Sequence, residues 1–137
     1  IPSGYAILRL DGRTRRISAG TSVITAQFNG DTTNAYHWTN IALGPTYVRT
    51  LYTMQNEIRV AIWSTMGTWS VWDCIIPNGP GAAPRQGHGR CSNGQSTLFL
   101  FTWRWDSTPP EITSIRLTYN TANLLTGQIT LSGLVAA

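Results

Sequence analysis

Apolar and polar positions along this chain alternate far more often than they follow a helical spacing. No stretch of about 11 residues keeps an unbroken i, i+3, i+4, i+7 apolar pattern. Tyr5 to Leu10 is a short apolar run followed by Asp11-Gly12, a turn dipeptide. From Thr21 to Phe28, Ile24, Ala26 and Phe28 alternate with Thr25 and Gln27, and the run ends at Asn29-Gly30-Asp31, a strong turn signal. Ala35 to Leu43 reads less clearly and stops at Gly44-Pro45. Thr46 to Thr53 predicts a strand with a turn at Asn56. Ile58, Val60 and Ile62 then alternate with Arg59, Ala61 and Trp63. After Gly67, Trp69, Val71 and Asp73 share one face of a strand and Ser70, Trp72 and Cys74 the other. Ser96 to Trp105, Glu111 to Tyr119 and Gln128 to Val135 complete the series. Eight or nine short strands separated by turn residues predict an all-β fold, an antiparallel β-sandwich or jelly roll. The chain, residues 1–137, has room for a single domain of this kind.

Pro77 to Gln95 stands apart. It holds three Pro and five Gly and predicts a long surface loop. Surface connections often carry recognition. Arg85, His88 and Arg90 within it are therefore candidate contacts for a receptor or partner.

Composition sharpens this picture. Hydrophobic residues make up 42% of the chain and charged residues only 12%, about half the proportion of an average globular domain. All ten basic residues are Arg, and Thr, Ser, Asn and Gln supply most of the polar surface. Interfaces are poor in Lys and rich in Arg and aromatics, so this balance favours a surface that meets other proteins or sugars. The net charge of +4 is mostly spread out. Only Arg13, Arg15 and Arg16 cluster, and they read as a solvated loop. Three charges hold phosphate weakly, so no nucleic-acid contact is expected. No apolar run nears the roughly 18 residues of a membrane helix, so no membrane insertion is expected either. The chain opens on Ile1 without Met, the look of a piece of something longer.

Catalytic chemistry is thinly provided. His37 and His88 are the only histidines, six carboxylates complete the inventory, and no Gly-x-Ser-x-Gly nucleophile turn occurs. Zinc is disfavoured by the lack of closely spaced Cys and His. Asp106 and Glu111 beside a Pro-Pro turn read as surface acids rather than calcium ligands. The expectation is a protein without cofactor or metal that binds or assembles and is not an enzyme. Six tryptophans supply the means. Trp63, Trp69 and Trp72 lie close together in sequence, and Trp69 and Trp72 are candidate partner contacts. In Ser96 to Trp105 both faces are apolar, which makes Phe99, Phe101, Trp103 and Trp105 candidates for self-association. Cys74 and Cys91 permit one intrachain bridge, and two buried free thiols are equally consistent with the sequence.

The tail from Ser107 to Ala137 (STPPEITSIRLTYNTANLLTGQITLSGLVAA), the Thr/Asn-rich strand-and-turn texture, the absence of Lys and a last strand near the chain end resemble a capsid-protein domain of a small non-enveloped RNA virus. The closest likeness is to the C-terminal protruding domain of nodaviruses and tombusviruses. The resemblance implies a homodimeric or homotrimeric spike on the virion surface that mediates capsid assembly and attachment to a host receptor or glycan. The dense basic arm that precedes a shell domain is missing, which favours the protrusion. A monomeric carbohydrate-binding module with exposed tryptophans is the alternative.

Overall fold

A computed structural model describes residues 1–17, 22–63, 67–79, 84–92, 97–107, 111–119 and 125–135, apart from the side chains of Arg16, Ser22, Trp63 and Leu125. Ten strands are present and, among the described residues, no helix. They are β1 (Tyr5–Arg16), β2 (Ser22–Phe28), β3 (Tyr36–Leu43), β4 (Val48–Gln55), β5 (Ile58–Trp63), β6 (Trp69–Pro77), β7 (Arg85–Ser92), β8 (Leu98–Trp105), β9 (Ile115–Tyr119) and β10 (Leu125–Val135). A seven-stranded sheet has the order β10-β1-β6-β7-β8-β3-β4 and a three-stranded sheet the order β5-β2-β9. Every pairing is antiparallel. The molecule is a β-sandwich, as the alternation predicts.

β5 touches β6, β7, β8 and β3 in turn, so the small sheet runs across the strands of the large one instead of along them. Between the sheets lies an aromatic core. The Phe28 ring sits 5.2 Å from both Trp103 and Trp105, and Tyr36 stacks on Trp105 at 5.8 Å. The polar ends of these rings are satisfied inside. The Tyr36 hydroxyl accepts from the Phe28 amide (2.9 Å), and the Trp105 indole donates to Asp31 (2.7 Å). Where the small sheet meets the edge of the large one, Trp38 and Tyr52 stack at 3.7 Å and Arg59 of β5 lies 4.6 Å over the Trp38 ring.

Four expectations change, each for a physical reason. Asp11-Gly12 is not a turn; β1 runs straight through it and on through Arg13, Arg15 and Arg16, which therefore stand on a strand and not in a loop. Gly12 faces inward opposite Trp72, and a Cβ there would lie 2.0 Å from the indole. The glycine makes room for a ring. Pro77 to Gln95 is not one loop, because Arg85–Ser92 forms β7 in the middle of the large sheet. Its inward positions are Arg85, Gly87, Gly89 and Cys91. A Cβ on Gly87 would fall 2.2 Å from Trp103, and one on Gly89 would fall 2.5 Å from the Asp73 carbonyl. The period of two is present, but glycines occupy the places where large apolar residues would have announced it. The third change is the strand count, ten in place of eight or nine. The fourth is the face of β5: its register shifts against β2 between Ile24 and Thr25, and Ala61 is fully buried while Ile62 is half-buried.

Gly12→Ala is expected to lower the unfolding free energy by about 3 kcal/mol, the upper end of overpacking costs. Adding Trp72→Leu to the same chain should lose less than the two single changes summed. Urea midpoints of the four variants in the cycle measure this, and a simple sum would show that the two positions do not share space.

Candidate binding and assembly surfaces

Three features of the large sheet are available to partners: an outer trough, one cationic corner and one open edge. The outward side chains lie in rows fixed by the register. One row runs Arg9, Ile75, His88, Thr102, Thr39 and Leu51 across β1, β6, β7, β8, β3 and β4. Its middle part forms an open trough of about 590 Å³, bounded also by His37, Thr53, Gln86 and Arg104. Both histidines of the chain stand there, brought together from β3 and β7. His37 Nε2 lies 3.2 Å from Asp106, whose other oxygen meets Arg104 at 2.6 Å. The Arg104 guanidinium, with desolvation opposing and His37 assisting, holds the Asp106 carboxyl below the usual range. Hydroxyls, amides and imidazoles thus line a trough whose charges cancel, a surface able to exchange hydrogen bonds with a polar ligand.

The predicted contact residues divide. His88 and Arg90 are exposed on β7, and Arg90 is held by Asp73 at 3.0 Å. Arg85 is buried and cannot meet a partner: its guanidinium donates to the carbonyls of Pro77 (3.3 Å) and Gly79 (3.1 Å). Burial lowers its pKa, partly offset by the charge of Glu111. It pins the β6–β7 connection where exposure was expected. Trp72 is likewise buried, with its indole donating to Thr14 Oγ1 at 3.0 Å, so it serves the core and not a partner. Trp69 is 39% exposed on the outer face. Trp63 lies outside the described side chains.

The self-association candidates on β8 are also corrected. Phe101, Trp103 and Trp105 are 1%, 3% and 0% exposed, and Phe99 packs against the same core. Alternation sends all four inward under the small sheet, and the outer face of β8 carries Leu98, Leu100, Thr102 and Arg104. Only the Leu98–Leu100 end of the outer face is apolar, and Leu98 there is exposed.

The open edges provide a different surface. β10 ends the large sheet on one side and β4 on the other. A free edge invites another strand, and edges that stay single carry charge, proline or irregularity. β4 has all three kinds of protection: Arg49 within it, Pro45 just before it, and Met54 at a φ of 53° beside a register shift. β10 has eleven residues without a charge or a proline, and its irregularities are Gly127 at a φ of 146° and a register shift against β1 between Tyr5 and Ile7. Ile129, Leu131, Leu134 and Val135 are 38%, 44%, 63% and 63% exposed along it. Sequence reasoning passed over this strand because its alternation looks ordinary; the missing charge was the available signal.

Cys74 and Cys91 are buried free thiols, not a bridge. They stand diagonally on β6 and β7, Cys74 opposite Gly89 and Cys91 opposite Trp72. Diagonal Cα atoms in a sheet are about 7–8 Å apart, beyond the usual span of a disulfide. Burial pushes the Cys74 thiol up to about 12 and raises Cys91 as well, against the opposing bond from Ser70. Asp106 and Glu111 make no calcium site with a third acid: among the described residues no three His, Cys, Asp or Glu side chains gather.

Comparison with protein-family models, curated proteins and solved structures finds no match to this chain. The class that the geometry defines is an antiparallel β-sandwich of ten strands in two sheets.

Both thiols are expected to resist an aromatic disulfide reagent in the native state at pH 8 and to react once urea unfolds the chain. Raised thiol and tyrosine values, about 12 for Cys74 and for Tyr36, mean that the folded state keeps its protons longer than the unfolded one. Their stability contribution is complete below the unfolded thiol value near 9 and is lost as pH rises toward 12. A urea midpoint that does not fall between pH 9 and pH 11 would contradict this.

Proposed function

We propose that this chain is an assembly and attachment domain of the kind found as the protrusion of a small viral capsid. In this reading it pairs with a second copy through β10 and presents the outer face of its large sheet to a host molecule. The observation that carries the reading is the β10 edge, eleven residues long without a charge or a proline. An uncharged edge strand of this length with exposed aliphatic side chains is an aggregation hazard for a monomer. The same strand is an asset when a matching edge covers it. Antiparallel pairing of β10 with its own copy about a two-fold axis is self-complementary, so one strand supplies both halves of the contact. The low charge of the chain supports this, since copies at +4 each repel one another only weakly. The texture of the tail is in keeping with it.

The trough supports a second reading, a carbohydrate-binding module. It is an open concave surface of about 590 Å³, and its hydroxyl, amide and imidazole groups match the hydroxyls of a sugar. That reading needs no self-association and uses the trough in place of the tryptophans.

At micromolar concentration, sedimentation velocity should give a dimer, and Leu131→Lys should shift it to monomer with the circular dichroism unchanged. The substitution puts a charge from each copy onto the proposed seam. A wild-type chain that sediments only as monomer would remove the assembly reading and leave the sugar-binding one.

A further inference from the structure

Over most of the outer face each carboxylate is held by a guanidinium. Asp11 lies 2.8 Å from Arg9, Asp73 lies 3.0 Å from Arg90 and 3.5 Å from Arg9, and Asp106 is bound by Arg104. Among the described residues this pairing is missing at Arg49 on β4, which stands alone, and at one corner where two arginines stand together. Arg13 and Arg15 project outward from β1 two residues apart, opposite Val71 and Trp69 of β6 on one side and Gln128 and Thr126 of β10 on the other. Among the described residues neither makes an ion pair, and their neighbours on β6 and β10 are neutral. Each rests on the same indole instead, with the guanidinium carbons of Arg13 and Arg15 lying 4.8 Å and 5.4 Å from the Trp69 ring centre.

Two like charges side by side repel, and the shared ring offsets that only in part. A guanidinium held over an indole keeps its terminal N–H₂ donors for a ligand, although Arg15 Nε is itself buried. Two such forks close together match the oxygens of a sulfate or phosphate group. We propose that the Arg13–Trp69–Arg15 cluster binds the oxyanions of a sulfated polysaccharide. The rest of the neighbourhood favours that polymer over single-stranded nucleic acid. Bases bind such proteins by stacking on free aromatic faces, and here guanidinium groups occupy the ring. Next to them β10 presents Gln128, Thr130 and Ser132 on the same face, hydroxyls and an amide suited to sugar hydroxyls. The inference names the ligand class for the attachment half of the proposed function and rests on that half alone; assembly through β10 stands or falls separately.

The test is titration of the whole domain with heparin, with fully desulfated heparin and with a single-stranded RNA of matched charge, at several salt concentrations. Heparin should bind and the desulfated form should not. Arg13→Gln and Arg15→Gln should each weaken heparin binding about tenfold and each reduce the slope of log K against log salt by about one. Arg49→Gln, on the far edge of the sheet, should change little. Equal loss in the Arg49 variant would show diffuse charge attraction and overturn the site. So would the absence of heparin binding, or RNA binding tighter than heparin. Sedimentation of the same samples reports assembly independently, so loss of heparin binding with dimerisation retained removes only this inference.

Discussion

The sandwich depends on large indoles lying flat against glycines of the adjacent strand. Trp72 on β6 covers Gly12 on β1, and Trp103 on β8 covers Gly87 on β7. Tyr5 covers Gly133 in the same manner at the outer end of the sheet. An indole has more surface than the pleat of one strand can bury, so the neighbouring strand gives up its side chain to make the room. Two stretches that are poor in apolar residues, the centre of β1 and β7, thereby join a core whose substance comes from their neighbours. Without this arrangement β7 would have no apolar contribution beyond Cys91, and the seven-stranded sheet would divide at that point.

The same arrangement explains what was legible in the sequence. β2, β6, β8 and β9 carry their own aliphatic and aromatic residues in alternation, so their patterns revealed the strands; the inward faces of β6 and β8, which hold Trp72 and the β8 aromatics, were read as contact surface. β7 reads Arg-Gln-Gly-His-Gly-Arg-Cys-Ser, and local propensity there points to a loop. Only the rings of β8, and the close approach of β6 through the Asp73 carbonyl, turn it into a strand, and neither is local information. Gly12 misled for the same reason: a glycine after an aspartate signals a turn by local chemistry, and its partner stands sixty residues away on β6.

The functional surfaces were less legible than the fold. Aromatic residues on β8 drew attention as sticky, but alternation turns all four of them toward the core and leaves Leu98, Leu100, Thr102 and Arg104 outside. The residues that distinguish the surface are polar and dispersed along the chain. His37 and His88 come from strands separated by β8, and only the register sets them in one trough. Arg13, Arg15 and Trp69 meet because β1 and β6 pair over nine residues. Individually these are ordinary surface groups, and pairing gives them their collective character.

The glycine–indole pairs also bear on how this chain can diverge. A position occupied by hydrogen because a ring fills its space has no freedom of its own, and neither has the ring. Positions 12 and 72, and positions 87 and 103, can therefore drift only in concert, a smaller ring permitting a larger partner and the reverse. The outward rows carry no such bond between strands. Descendants of this chain would keep four coupled sites as a fixed frame while their outer face changed residue by residue, so ligand preference can turn over quickly on an architecture that hardly moves.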